Sequence, residues 1–165
     1  MVKEMQLILM EKAYRKIVEE CFSFPEVETG GILIGRKVDR HNIVVPFALG
    51  SGPKARRSYT RFSPDVAWQQ HALEKLFERY QINYIGSFHR HPGNYSQPSL
   101  LDYKTAIGIL ESPDWGISEA VFPILILKNK KVEFHPYHMS WKSKRFQPID
   151  WQVVSNKKGP GRPAL

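Results

Sequence analysis

Cysteine is almost absent from the sequence. Cys21 is the single cysteine among 165 residues, and this excludes an internal disulfide and a zinc site built from several cysteines. The zinc deaminases are excluded for the same reason, because their metal site requires a P-C-x-x-C pattern. Cys21 follows Tyr14 and Ile17 at helical spacing, which predicts a buried structural thiol rather than a nucleophile. A metal ion in this protein would have to be bound by histidine and carboxylate side chains.

Long hydrophobic runs are absent as well. No apolar run approaches the ~20 residues that a membrane-spanning helix needs. The apolar stretch Met5–Met10 is short and leads directly into Glu11 and Lys12, unlike the apolar core of a secretory signal. We therefore expect a cytoplasmic protein that has no membrane partner. The length and the hydrophobic content of 42% are those of a single globular domain.

Acidic residues are in the minority, since 16 Asp and Glu stand against 24 Lys and Arg, for a net charge of +8. Much of the excess lies in one loop and at the carboxyl end, at Lys54, Arg56, Arg57, Arg61, Lys142, Lys144, Arg145, Lys157, Lys158 and Arg162. Such runs are usually solvated faces, so nucleic-acid binding is not expected and stands only as an alternative. The predicted domain covers residues 1–140. Residues 141–165 are predicted to form a basic extension that is disordered over 156–165.

The spacing of apolar residues predicts an α/β fold. The predicted elements, in chain order, are a helix over 8–22, strands around 32–34 and over 41–49, a helix beginning at Ser63-Pro64-Asp65, a strand over 84–88, a helix over 101–110, and strands over 121–127 and 131–137. Gly30 and Gly31 predict a close backbone approach or a bulge, and Pro123 predicts a bulge or an edge within its strand. This order indicates a mixed, curved sheet flanked by helices.

Two histidines and a carboxylate form the candidate site. His89 and His91 follow the apolar run Ile82–Phe88 and are two positions apart. Side chains on an extended chain alternate with period two, so both imidazoles are expected on the same side. Asp102 follows eleven residues later, in the first turn of a predicted helix, where it could reach the same point. Three such ligands leave one coordination position open, as in a catalytic zinc site.

These residues belong to a pattern of three separated segments, Glu28-Thr29-Gly30-Gly31-Ile32-Leu33-Ile34-Gly35, His89-x-His91-Pro92 and Ser99-x-x-Asp102. The pattern resembles the JAMM motif of the MPN/JAB metallopeptidases, including the eight-residue step from His91 to Ser99 and the three-residue step from Ser99 to Asp102. The resemblance extends over residues 5–138. It implies an MPN/JAB domain with the layering of the cytidine deaminases.

The resemblance also implies a role for each residue. His89, His91 and Asp102 correspond to the ligands of one zinc ion per chain, Glu28 to the general acid/base, and Ser99 to the residue that supports the oxyanion. Each residue type suits its role. Zinc acidifies a bound water, a carboxylate can carry that proton to the leaving amine, and a hydroxyl at a helix start can donate to an oxyanion.

Each residue taken alone has a structural interpretation. The histidines could be polar loop residues, and Ser99 and Asp102 could serve only as helix cap and dipole-compensating acid. Glu28 could be a solvated turn residue, and Glu26 competes with it for the catalytic role. The combination at matching spacing favours a metal site.

Two features lie outside the motif or depart from it. His135 and His138 form a second histidine pair, which follows a predicted edge strand and is interpreted as structural. A thermolysin-type H-E-x-x-H sequence is absent. Arg90 stands where the family often has Ser or Thr. Strand alternation turns its side chain away from the predicted zinc, toward an acidic partner or a core carboxylate.

The resemblance implies a zinc-dependent isopeptidase or peptidase that cleaves after the carboxyl terminus of a ubiquitin-like protein, in deconjugation or precursor processing. This compact chain resembles the free-standing bacterial members, which are often encoded with ubiquitin-activating-like and conjugating-like enzymes, including in antiphage systems. Those enzymes and the ubiquitin-like protein are the expected partners. The alternatives are a non-catalytic MPN scaffold, a nucleic-acid-associated basic protein, and a peptidase that acts on a small sulfur-carrier protein.

Overall fold

A ten-stranded sheet, a small hairpin and three helices make up residues 4–156, the part of the chain that the computed structural model describes. In chain order they are β1 (Gln6–Met10), α1 (Glu11–Ser23), β2 (Thr29–Lys37), β3 (Asn42–Leu49), β4 (Arg56–Arg57), β5 (Phe62–Ser63), α2 (Val66–Tyr80), β6 (Asn83–Arg90), α3 (Leu100–Glu111), β7 (Glu119–Val121), β8 (Ile124–Lys128), β9 (Lys131–His135), β10 (Tyr137–Ser140), β11 (Gln147–Pro148) and β12 (Asp150–Val154). The predicted α/β class is confirmed.

The large sheet is mixed, as predicted. Its strands lie in the order β11-β10-β7-β6-β2-β3-β1-β12, and β8 and β9 continue it beside the end of β6. β2 is antiparallel to both β3 and β6, whereas β1 is parallel to β3 and β12. β4 and β5 form a separate hairpin. The turn from β8 to β9 has positive φ at Asn129 and Lys130, as a tight hairpin turn requires.

Helix α1 covers one face of the sheet, and α2 and α3 cover the other. Ile17 of α1 is fully buried in one cluster with Leu33 and Phe88. Leu73 of α2 clusters with Ile32 on the opposite face, and the buried residues of α3 cluster with those of β7 and β10. β2 is therefore covered on both faces, which explains its uninterrupted apolar sequence.

The first helix begins later than predicted. Residues 8–10 belong to β1, and α1 starts at Glu11. Leu7 and Leu9 are fully buried while their neighbours are half-buried, which is the period of a strand. The prediction failed because apolar residues on both sides of the junction also fit a helical spacing.

The second helix also begins later than predicted. Ser63 pairs in β5 instead of capping α2, and Asp65 is the N-cap. The Asp65 carboxylate accepts a hydrogen bond from the backbone N–H of Trp68, as the best capping residues do. The predicted strand over 121–127 is interrupted at Phe122-Pro123 and forms β7 and β8, so the proline for which a bulge or an edge was predicted divides the strand in two.

The end of the described chain lies in the sheet. The sequence predicts an extension beyond residue 140, whereas β12 pairs in parallel with β1 along its whole length. Trp151 stacks on Tyr14 at 5.9 Å between ring centroids and lies 4.6 Å from Phe134. These aromatic contacts outweigh the polar composition from which the extension was inferred. The predicted disorder concerns residues 156–165, of which 157–165 lie outside the described residues.

None of the three helices within residues 4–156 is long and apolar enough to cross a membrane.

Candidate active site

The carboxyl end of β6 brings the two histidines together. β6 alternates so that Phe88 and Arg90 point toward the α1 side, while His89 reaches Asp102 of α3 on the other side. His91, one residue past β6, follows the same alternation. Its backbone N–H donates to the Leu125 carbonyl of β8, which keeps the chain extended at this point.

A capping box holds the carboxylate. Ser99 is the N-cap of α3, and its Oγ accepts a hydrogen bond from the backbone N–H of Asp102 at 3.0 Å. In return, Asp102 Oδ2 accepts from the Ser99 backbone N–H at 2.7 Å. The expected capping-box spacing, with Asp in place of Glu, is confirmed. The carboxylate is thus fixed at the start of the helix before any ligand is considered.

The three side chains offer their ligand atoms to one point. His89 Nε2 and His91 Nε2 are 2.7 Å apart, and each lies 3.1 Å from an oxygen of Asp102. Two atoms bound at ~2.0–2.1 Å to one tetrahedral zinc are separated by about 3.3 Å. The side chains are only 11–13% exposed, so the group is sheltered and still reachable. Among residues 4–156, no other set of three His, Cys, Asp or Glu side chains has such geometry.

The tautomer of His91 suits a metal ligand. Its Nδ1 lies 2.8 Å from the carbonyl oxygen of Tyr95. Because a carbonyl oxygen can only accept, Nδ1 must carry the proton. In the neutral ring, Nε2 then presents a lone pair to the shared point, as is usual for metal-binding histidines. Without a cation, Nε2 can carry a second proton and donate to Asp102; a metal ion would take the place of that proton, so two imidazole nitrogens and a carboxylate at one point fit a metal ion.

Charge and burial set the protonation of the carboxylate. Burial opposes ionisation of Asp102, but hydrogen bonds from His89 and His91 outweigh it and hold the pKa of Asp102 well below its usual range. Burial also tends to lower the pKa of His91, yet the hydrogen bonds to Asp102 and to the Tyr95 carbonyl raise it overall. Asp102 is therefore a carboxylate at neutral pH, as a metal ligand must be.

Glu28 faces the same site. Thr29 and Arg90 are register partners, so the next pair outward would join Glu28 and His91. Burial raises the pKa of Glu28 to about 7; His91 lowers it and Asp102 raises it further. A carboxyl group with this pKa can accept and release a proton near neutral pH. Its competitor Glu26 is exposed and is not among the residues around the cleft described below.

A glycine at position 30 allows the backbones of β2 and β6 to approach closely beside His89. Gly30 is the register partner of His89. A Cβ atom at Gly30 would overlap the Phe88 carbonyl oxygen and come within 2.7 Å of the Phe62 ring. The close backbone approach predicted for the paired glycines is confirmed, since Gly31 would likewise meet the Leu49 carbonyl. The bulge that was the alternative prediction does not lie at these glycines, because the register of β2 shifts further along the strand, between Leu33 and Arg36.

An apolar cleft of about 260 Å³ opens beside the ligand group, between α2, α3 and the sheet. Glu28, His89 and Asp102 lie in its wall. Six of its apolar residues are Ile32, Val66, Leu101, Ile109, Trp115 and Phe122. A polar cluster at the edge of an apolar cleft is the usual form of a small-molecule or peptide site.

Ser99 is placed differently from the other predicted site residues. It does not line this cleft but borders a shallower groove with Tyr103 and Tyr137. Its oxygen is used as the cap of α3, which leaves the hydroxyl proton for donation. Its role toward an oxyanion stays a prediction.

A buried ion pair behind Glu28 could not be recognised in the sequence. Arg57 Nη2 lies 3.1 Å from Glu20 Oε1, and the two side chains are 14% and 11% exposed. Thr29, fully buried, donates its hydroxyl to Glu20 at 2.8 Å and accepts from Arg57 Nε at 2.9 Å. In the sequence, Arg57 is one of several arginines in a loop without periodicity, and no local spacing links it to Glu20.

Arg90 has a structural partner rather than an acidic one. Its guanidinium donates to the carbonyl oxygens of Phe24 and Val27 at 2.7 and 3.1 Å. Arg90 is only 4% exposed, which leaves no surface for an acidic partner, and within residues 4–156 its guanidinium hydrogen bonds go to these two carbonyl groups rather than to a carboxylate. Its side chain does point away from the ligand group, as alternation predicts.

The remaining candidates lie away from the site. His135 is 3.2 Å from Glu133 and His138 is 3.1 Å from Glu119, so each has its own carboxylate, in line with a structural interpretation. Cys21 is fully buried, which raises the pKa of its thiol to about 12. The predicted structural role of this thiol is confirmed.

Comparisons with known proteins agree with this geometry. The profile of the Prok-JAB family, described as prokaryotic homologs of the JAB domain, matches residues 10–144. A "Probable metalloprotease y4qB" of Sinorhizobium fredii is 28% identical over 123 residues, which are 71% of each chain. A "CD-NTase/cGAS isopeptidase" of Enterobacter hormaechei is 27% identical over 120 residues, 72% of this chain and 66% of that protein. The solution structure of protein DSY2949 from Desulfitobacterium hafniense superimposes with a TM-score of 0.66 at 17% identity, covering 91% of this chain and 94% of that one, and shares the fold.

Proposed function

Because the chain belongs to the family of prokaryotic JAB-domain proteins, we propose that it is a zinc-dependent peptidase that cleaves the amide bond after the carboxyl terminus of a ubiquitin-like protein. The observation that carries the proposal is the convergence of His89, His91 and Asp102 on one point, beside a cleft whose wall also contains Glu28. Similarity to proteins named metalloprotease and isopeptidase supports hydrolysis of this type.

In the proposed reaction, His89, His91 and Asp102 hold one zinc ion. When bound, zinc acts as a Lewis acid that polarises the scissile carbonyl group and acidifies water. Glu28 accepts a proton from the attacking water and delivers it to the leaving amine, for which its half-buried position and raised pKa are suited. Ser99 donates its hydroxyl proton toward the oxygen on which negative charge develops, near the amino terminus of α3.

The apolar cleft is the proposed binding site for the acyl side of the substrate. Its wall contains both Glu28 and two of the ligands, so a chain that lies in it passes the reacting groups. Val66 and Leu101, 64% and 52% exposed, stand at its edge and are available to apolar side chains of the substrate.

The amine side of the substrate is proposed to be a lysine side chain in a conjugate or the next residue of a precursor. The relative named as an isopeptidase supports a conjugate. A cellular context with ubiquitin-activating-like and conjugating-like enzymes, such as an antiphage system, is part of this proposal, as is a cytoplasmic location.

The proposal is tested with zinc-loaded protein and candidate ubiquitin-like precursors and conjugates, with and without chelator. Mass spectrometry of the products is expected to show a new carboxyl terminus at the end of the modifier. Glu28→Gln is expected to slow cleavage by about 10²–10⁴-fold while one zinc per chain remains bound. Glu26→Gln, at the exposed neighbouring glutamate, is the matched control and is expected to cleave normally.

Two results would contradict the proposal. One is purified protein that binds no stoichiometric zinc by elemental analysis. The other is Glu28→Gln protein that cleaves as fast as the control variant. Retention of zinc without any cleavage would instead support the non-catalytic scaffold.

A further inference from the structure

The segment that carries Glu28 has no regular structure of its own. Residues 24–28 form turns between the end of α1 and the start of β2. A carboxylate that moves protons must be held to within a fraction of an ångström, and irregular segments need outside support to achieve this. The source of that support is visible in the contacts on either side of Glu28.

Arg57 contacts both flanks of this segment. Ahead of Glu28, its guanidinium carbon lies 3.5 Å from the centre of the Phe24 ring. Behind Glu28, its Nε donates to the Thr29 hydroxyl at 2.9 Å. Its Nη2 is anchored on the Glu20 carboxylate of α1 at 3.1 Å. One planar side chain thereby joins the helix, the turn and the first residue of the strand.

The hairpin that presents Arg57 also binds the backbone of Glu28. The Glu28 N–H donates to the carbonyl oxygen of Ser58, the residue after Arg57, at 2.8 Å. The same hairpin therefore contacts this segment twice, through the Arg57 side chain and through the Ser58 carbonyl. The Glu20 carboxylate further accepts from the Ser51 N–H at 3.3 Å, so the anchor itself is held from a third segment.

We propose that Arg57, hydrogen-bonded to Glu20 and Thr29, is a positioning residue that holds Glu28 in its reactive orientation. The inference rests on the proposed function, because it presumes that Glu28 carries the proton. A positioning role would explain why the Arg57–Glu20 ion pair is buried. Such a pair contributes little to stability by itself, because the cost of desolvation offsets the attraction. The positioning role also explains the residue type, since lysine lacks the fork that reaches two oxygens and the plane that lies over a ring.

Adjacent arginines provide a matched test. Arg56 is exposed and Arg57 is half-buried in the same two-residue strand. Arg56→Met and Arg57→Met remove the same charge from neighbouring positions. Arg57→Met is expected to lower kcat by about 10- to 100-fold with little change in KM and with zinc content unchanged. Arg56→Met is expected to keep wild-type kcat.

The decisive comparison repeats Arg57→Met in the Glu28→Gln protein. If Arg57 acts through Glu28, the second substitution causes no further loss of the residual rate, because the effects of two residues that act as a unit do not add. An equal fold-loss in both backgrounds, or wild-type kcat in the single variant, overturns the proposal.

A milder pair covers the case in which Arg57→Met fails to fold. Thr29→Ser keeps the hydroxyl between Glu20 and Arg57, and Thr29→Val replaces it with a methyl group of similar volume. The serine variant is expected to retain kcat and the valine variant to lose about 3- to 30-fold. Equal kcat in the two variants counts against the network.

Hydrogen exchange separates this inference from the proposed function. In Arg57→Met, the amides of residues 24–29 are expected to exchange faster than in Arg56→Met, whatever the activity. If Glu28→Gln leaves cleavage unchanged, the proposed function fails while this measurement still reports on the support of the segment. Unchanged exchange in Arg57→Met overturns the inference even where Glu28 proves essential.

Discussion

The two faces of β6 differ in what they hold. On one face, His89 and the following His91 meet Asp102 at the wall of a cleft. On the other, Phe88 is buried under α1 and Arg90 binds backbone carbonyl groups. The first face groups the candidate metal ligands, and the second contacts the turn from which Glu28 emerges. One strand thus serves both the chemistry and the support of the candidate site.

The largest effect is expected on the cleft face. Asp102→Asn keeps an oxygen that can accept from the Ser99 N–H but loses the negative charge shared with both histidines. Zinc affinity, measured by competition with a chromogenic chelator, is expected to fall by more than about 100-fold. The fold should persist, as measured by circular dichroism, because the cap remains. Unchanged zinc affinity would remove Asp102 from the ligand set.

A smaller effect is expected on the α1 face. Arg90→Met leaves the carbonyl groups of Phe24 and Val27 without their donor, and an unsatisfied buried group is costly. The free energy of unfolding in urea is expected to fall by about 2–4 kcal/mol. Zinc stoichiometry is expected to stay at one per chain. The exposed Arg61→Met is the control, and an equal loss in the two variants would contradict the support role of this face.

A still smaller effect is expected at the cap. Ser99→Ala removes the acceptor for the Asp102 N–H, and loss of a cap costs about 1 kcal/mol. Urea unfolding of the zinc-free protein measures this loss without interference from metal binding. A change of less than a few tenths of a kcal/mol would mean that the capping box does not hold α3. The same variant then reports, through kcat, whether the hydroxyl also serves the reaction.

The smallest effect is expected at Cys21, on the α1 side. Burial raises the pKa of its thiol to about 12, so below that pH the group is a neutral thiol, and the thiolate population falls further as pH decreases. Iodoacetamide at pH 8 is expected to leave Cys21 unmodified in the native protein and to alkylate it in urea, as mass spectrometry would show. Rapid native alkylation would mean that the core beneath α1 opens readily to solvent.

Much of the fold was predictable from short-range patterns. The α/β class, the β2–β3 hairpin, the start of α3 and an irregularity at Pro123 all follow from residues a few positions apart. Two of the missed elements, β1 and β12, pair with each other although they lie at opposite ends of the described chain. Their signal was ambiguous locally, because Leu7 and Leu9 adjoin a true helix and β12 lies in a polar, basic stretch.

For the candidate site, the sequence alone determined on which side of the chain each candidate ligand lies. Strand alternation set His89 and His91 on one side and Arg90 on the other, and the capping box set Asp102 at a helix start. Both patterns depend on backbone geometry within four residues, which does not change with the surroundings.

Only the tertiary structure decided how Glu28 is held. Arg57 meets Thr29 and Glu20 across separations of 28 and 37 residues. Which arginine of the loop turns inward, and whether Glu28 or Glu26 enters the cleft, depends on how the chain closes over long distances. A charged side chain is buried only where a partner compensates its charge. For Arg57 that partner is distant in the sequence, so local spacing does not predict it.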